Sequence, residues 1–347
     1  MKRTTIEKYI VLGIILILFN LFFISISAGS LNDGHNQVIK SSLGPGNHLQ
    51  FILVDGHIRS YWLHIPPSYV DGDPMPLVFI LHGSGAGANS YSIKSFSGMD
   101  EKADEEGFIA VYPNGELLLT SRYFKHPIAH FWDISLIIKR SREWNRWNEN
   151  NFDDVGFIRE LINHLELKLN INSSRIYVMG SSGGAMMTYR LGAELSNRIA
   201  AIAPICGSIG GIAYVPEIDD TLPPYIISNP DSSLPVIIFH GMKDKSVPYD
   251  GGWKRVINWN SYELWVYLVS VNESVSFWVE NNNCNPIPDV ETSESGKIII
   301  ETYTDGNYKS EVVLVSYIEG GHEWFTFPRH EMSAIDLAWD FFKRHPK

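Results

Sequence analysis

Five short apolar runs govern what this chain can fold into: Leu77–Leu81, Phe108–Tyr112, Arg175–Met179, Ala200–Ile205 and Val236–Phe239. A strand with one wet face alternates apolar and polar residues. Runs without alternation need cover on both faces, as in a parallel sheet. Between them lie helical spacings. Ile158, Leu161, Ile162 and Leu165 repeat at i, i+3, i+4 and i+7, with Asp153 or Asp154 to cap the helix. Ile335, Ala338, Trp339 and Phe342 repeat in the same way. Strands alternating with helices predict an α/β class, with a mostly parallel central sheet and helices on both faces. Two hairpins are expected as well. Leu49–Val54 and His57–Ile65 meet at Asp55-Gly56, and Lys297–Tyr303 and Glu311–Ile318 flank Asp305-Gly306-Asn307. Tyr123–Asn151 has no period and reads as a long insertion over one end of the sheet.

The run Arg175–Met179 leads into Gly180-Ser181-Ser182-Gly183-Gly184 and then a helical stretch, Ala185–Leu195. This is G-x-S-x-G centred on Ser182; Ser181 does not fit the frame, because Met179 stands at its leading glycine. The strand-to-helix context matters more than the motif, since the turn lifts a serine hydroxyl above the sheet edge and leaves no room for side chains beside it. A serine is a poor nucleophile until a base takes its proton, and that base is commonly a histidine oriented by a carboxylate. In an α/β-hydrolase the order along the chain is serine, acid, histidine. Val236–Phe239 leads to Asp244, and Glu311–Ile318 leads to His322. Asp231 and Asp250 are the substitutes for the acid, and His330 for the base. An oxyanion hole needs the backbone N–H after the nucleophile, that of Gly183, and a second from the loop after an early strand, here Ser84 in Leu81-His82-Gly83-Ser84-Gly85. His82 precedes the nucleophile and is read as shaping that loop, with substrate contact as its second reading. Trp132, Trp144, Trp147 and Trp324 either line a cleft or pack structurally. Trp147 and Trp324 are the candidate substrate contacts. His126 and His130 have no carboxylate or thiol in step with them, so neither metal nor cofactor is assigned.

These segments resemble the polyhydroxybutyrate depolymerase-like esterases, a group that takes in feruloyl and acetylxylan esterases. The likeness rests on Arg175–Gly207 around Ser182 and on His240-Gly-Met-Lys-Asp244 with Val247-Pro248-Tyr249. It extends to Gly320-Gly321-His322-Glu323-Trp324, Leu81-His82-Gly83, Trp147-Asn148 and Asp153–Phe157. It spans about residues 50–345, with five separated motifs in the right order. The resemblance implies an exported serine esterase using Ser182, Asp244 and His322 on a polymeric or oligomeric ester. Two departures stand out: Ser84 replaces a frequent cysteine, and Gly183 replaces the usual asparagine after the nucleophile.

The chain ends and composition bound the setting. Lys2, Arg3 and Lys8 precede an apolar stretch at 9–26, so residues 1–29 read as a cleaved signal peptide or a retained membrane anchor. Either places the rest outside the cytoplasm. Residues 30–48 form a polar spacer and 49–347 the catalytic domain. A charge of −11 with no dense basic run after the first ten residues excludes a nucleic-acid partner. The two cysteines, Cys206 and Cys284, exclude a disulfide scaffold and are expected to be free thiols rather than a bridge. Asn172 and Asn272 head glycosylation triplets, for which chance occurrence is the favoured reading.

Overall fold

The computed structural model describes residues 43–70, 73–84, 88–118, 129–131, 153–215, 220–221, 225–259 and 262–347. The first hairpin forms as expected. Gly46–Val54 (β1) and His57–Ile65 (β2) pair antiparallel, with Val54 opposite His57. Asp55 and Gly56 between them both take positive φ, which a two-residue turn of this hand demands.

The main sheet continues with Met75–Leu81 (β3), Ile109–Pro113 (β4), Ile171–Ser181 (β5), Ala201–Ile205 (β6) and Val236–Gly241 (β7). Asp289–Thr292 (β8), Ile298–Tyr303 (β9) and Val312–Tyr317 (β10) complete it. Its order is β1-β2-β4-β3-β5-β6-β7-β10-β9-β8. The middle of the sheet, from β4 through β10, is parallel. Antiparallel pairs close both sides. All five apolar runs fall in the parallel part.

Alternate residues of each parallel strand feed two cores, which is why no polar alternation appears. Leu77, Phe79 and Leu81 of β3 join one core, while Val78 and Ile80 join the other. The first face is covered by Asp154–Lys168 (α3), Gly183–Glu194 (α4) and Val271–Asn282 (α5). Their apolar sides include Ile158, Leu161, Met187, Leu191 and the fully buried Trp278. The opposite face is covered by Ser90–Ser97 (α1), Met99–Glu106 (α2) and Ala334–Arg344 (α6), which bring in Ile93, Met99, Trp339 and Phe342. Each large apolar side chain so buried contributes about 1.5–3 kcal/mol. Asp153 caps α3 by accepting the Gly156 N–H at 2.8 Å.

A second sheet was not evident in the sequence. Gly210–Val215, Asp220–Thr221, Tyr225–Ile226, Gly252–Trp259 and Tyr262–Leu268 form it. The insertion read over Tyr123–Asn151 lies outside the described residues except for the strand Ala129–Phe131, which pairs with Glu116–Leu118. Trp132, Trp144, Trp147 and His126 therefore lie outside them, as do the apolar stretch 9–26 and the spacer up to residue 42. No helix among the described residues is long and apolar enough to cross a membrane.

Candidate active site

Four neighbouring parallel strands, β5, β6, β7 and β10, end at one edge, and the residue types that carry chemistry follow them. Backbone bonds tie the loop starts together. The Ser182 N–H donates to Ile205 O, the Cys206 N–H to Phe239 O and the Met242 N–H to Tyr317 O, each at 2.9 Å.

Ser182 sits between β5 and α4 at φ 56° and ψ −120°. A residue with a side chain rarely adopts positive φ, and holding one there costs about 1–3 kcal/mol. The flanking glycines explain why the turn persists. A Cβ on Gly184 would run into the carbonyl oxygens of Leu81 and His82, and one on Gly180 would lie 2.7 Å from Gly184 O. The Ser182 side chain makes no capping bond to its helix.

The loop after β3 comes up beside this turn. A Cβ on Gly83 would lie 3.3 Å from Ser182 Cβ. A Cβ on Gly183 would overlap Ser84 Oγ and lie 3.2 Å from Ser84 N. The two departures from the family pattern are thus neighbours in space: the absent side chain at 183 leaves the volume that the Ser84 hydroxyl fills. His82, the third candidate substrate contact, is buried within that loop. It is 1% exposed. Its Nε2 accepts the Gly115 N–H at 3.1 Å and its Nδ1 donates to Gly83 O at 2.8 Å. Both ring nitrogens hold backbone, so the residue shapes the loop.

Asp244 and His322 meet. Nδ1 of His322 lies 2.7 Å from Asp244 Oδ2. Asp244 Oδ1 accepts the N–H groups of Ser246 at 2.6 Å and Val247 at 2.9 Å. Burial alone would raise the Asp244 pKa, but bonds from His240, His322 and the Val247 N–H outweigh it and hold the carboxyl well below the usual range. The Asp244 side chain is fully buried, whereas His322 keeps about a quarter of its side chain exposed. His330 does not reach this carboxylate; its ring stands edge-on to Tyr317 and Phe325. Asp231 bonds through its backbone to Ser196 Oγ. Trp324 is half-buried, donates its indole N–H to Ser97 O at 3.2 Å and meets the exposed Phe96 edge-to-face at 6.3 Å.

Cys206 and Cys284 are both free and buried. Cys206 Sγ lies 3.7 Å from Gly321 O and from Glu323 O, beyond the end of β10. Cys284 Sγ lies 3.8 Å from Ser310 O, before its start. The thiols stand at opposite ends of one strand and are free, as expected. Burial, with the charge of Asp244 adding to it, pushes the Cys206 thiol pKa up. Cys206, His240 and Asp244 bring ligating atoms within 4.8 Å of one another. Asp244 is engaged by His322, and His240 by Val247 O at 2.8 Å, so the trio stands as a hydrogen-bonded cluster. In the sequence His240 stands out only by its place in the segment that leads to Asp244.

No family model matches the chain. Feruloyl esterase C of Emericella nidulans is 24% identical over 291 residues, covering 82% of this chain and 83% of that relative. The protein NocK of Nocardia uniformis subsp. tsuyamanensis is 27% identical over 203 residues, 58% of this chain, and the chain spans only 49% of its length. Acetylxylan esterases stand among the relatives as well. An acetyl xylan esterase from Aspergillus awamori superposes with a TM-score of 0.54 at 15% identity, over 85% of this chain and 99% of that one, a likeness of fold. With its mostly parallel sheet and these relatives, the chain is similar in sequence to feruloyl and acetylxylan esterases and shares the fold of an acetyl xylan esterase.

Proposed function

We propose that the protein is a serine carboxylic-ester hydrolase acting outside the cytoplasm on acyl groups of plant polysaccharide. The observation that carries the reading is the pairing of a strained Ser182 turn with a His322–Asp244 hydrogen bond at the same sheet edge. Ser182 Oγ attacks the ester carbonyl while His322 Nε2 takes its proton, and Asp244 steadies the imidazolium through Nδ1. The N–H groups of Gly183 and Ser84 stabilise the oxyanion, where losing one donor costs about two to three orders of magnitude in turnover. The intermediate collapses, and His322 returns the proton to the leaving alcohol. A water deprotonated by His322 then releases the acyl group. No cofactor enters these steps. Feruloyl or acetyl esters are preferred to a polyester because they are the acyl groups in the relatives' names. The location rests on the apolar stretch 9–26.

Ser182→Ala is expected to abolish p-nitrophenyl acetate hydrolysis with the thermal transition retained; unchanged turnover refutes the assignment. Labelling of the wild type by a fluorophosphonate probe, lost on prior heating, separates an enzyme from a silent polysaccharide-binding protein. Release from methyl ferulate, acetylated xylan and hydroxybutyrate oligomers then ranks the substrates, and preference for the last would overturn the polysaccharide reading.

A further inference from the structure

Asp244 is held by more than His322. The Val247 peptide donates its N–H to Asp244 Oδ1 at 2.9 Å, and its carbonyl accepts from His240 Nε2 at 2.8 Å. A carbonyl has no proton to give, so Nε2 of His240 carries one. The same Nε2 lies 3.4 Å from Asp244 Oδ2, the oxygen that His322 reaches. The imidazole is completely buried, and Tyr249 stands edge-on to it at 5.8 Å. Its other nitrogen, Nδ1, has no hydrogen-bond partner among the described residues. An unpartnered buried polar atom is a cost that a leucine of similar volume would avoid. What a leucine lacks is the N–H that locks Val247.

We infer that His240 is a positioning residue for the candidate acid: it clamps the Val247 peptide that anchors Asp244 Oδ1 and offers its N–H edge to Oδ2. The inference rests on the reading of Asp244 as the acid of the site. Without the clamp the loop from Gly241 to Val247 loses its inner tie, and the carboxylate no longer faces His322 Nδ1 in one fixed orientation. The imidazolium that forms on proton transfer is then less well stabilised. A misplacement of about an ångström in such a group costs up to about a hundredfold in rate.

The test compares His240→Leu, His240→Gln and Asp244→Asn in the full chain, with p-nitrophenyl acetate as substrate. A glutamine amide nitrogen reaches about as far as Nε2 and can donate to Val247 O. His240→Leu should lower kcat by about ten- to a hundredfold with KM nearly unchanged, and move the acid limb of the pH–rate profile to lower pH. His240→Gln should restore most of both. A merely structural role would lower Tm in both variants and leave kcat and the profile of the folded enzyme alone. The inference is overturned if His240→Leu keeps kcat within about threefold of wild type below its Tm, or if glutamine restores nothing. Full activity in Asp244→Asn would sink the acid assignment and this inference with it. An inactive Asp244→Asn beside a fully active His240→Leu would sink this inference alone.

Discussion

Asp244→Asn changes one oxygen to an amide nitrogen, and the structure dictates which one. Three close hydrogen bonds reach the carboxylate, from the N–H groups of Ser246 and Val247 at Oδ1 and from His322 Nδ1 at Oδ2, while the His240 N–H, given to Val247 O, stays at 3.4 Å from Oδ2. An asparagine has a single acceptor oxygen. Placed toward the loop, it keeps two bonds and loses one; placed toward His322, it loses two and sets an NH₂ against two buried N–H groups. The first arrangement wins, by about 1–3 kcal/mol for each buried donor left unpaired. The amide NH₂ then points at His322 Nδ1, which must shed its proton to accept. The proton moves to Nε2, and an Nε2–H cannot take the proton of Ser182. A triad histidine held in the wrong tautomer loses about 10⁴ in kcat, equivalent to about 5.5 kcal/mol of barrier. The assay is steady-state hydrolysis of p-nitrophenyl acetate, with thermal unfolding as a folding check. A folded variant whose kcat falls by less than about tenfold refutes the reasoning, because His322 would then keep its catalytic tautomer without Asp244. The wild-type pH dependence follows from the same bonds. The folded carboxyl of Asp244 titrates below its unfolded value. Its stabilisation is complete above the ordinary carboxylate range and is lost only as pH falls through the lowered value. Activity lost on mild acidification therefore has a source other than Asp244.

Gly183→Asn, which installs the residue usual in the esterases that the sequence resembles, should lower kcat by roughly ten- to a hundredfold, because its Cβ overlaps Ser84 Oγ and displaces the proposed oxyanion donor. Adding Ser84→Gly should recover part of the loss, and simple additivity in the double variant would show that the contact is immaterial. Asp154→Ala leaves the Arg59 guanidinium, 5% exposed and packed 3.9 Å over the Phe157 ring, without its buried carboxylate. Unfolding in urea should show a loss of about 3–5 kcal/mol, and a loss under about 1 kcal/mol would contradict the burial argument. Both thiols should resist a disulfide-exchange reagent in the native protein and react in denaturant without reductant; an unreactive pair in denaturant would mean a bridge.

What was legible in the sequence, and what was not, divides along one physical line. Parallel strands such as Leu77–Leu81 and Val236–Phe239 announce themselves because both faces are buried, and their order fixes where Ser182, Asp244 and His322 emerge. The strand Asp289–Thr292 was missed because it is a sheet edge with every residue exposed, so nothing apolar marks it. Met99–Glu106 was missed because a helix that buries only Met99 and Ala103 shows no stripe. The strand Gly252–Trp259 was missed because a register shift between Val256 and Trp259 breaks the period of two on which strand reading depends. Within the candidate site, Ser182, Asp244 and His322 are the residues that side-chain type and a place at a strand end single out. His240 is not among them, because its place depends on a bond to Val247 that closes only after the loop has folded, and no spacing in the chain encodes it. The candidate chemistry is legible in residue types and order, while the constraint proposed for the candidate acid joins a side chain to backbone groups that are the same in every sequence.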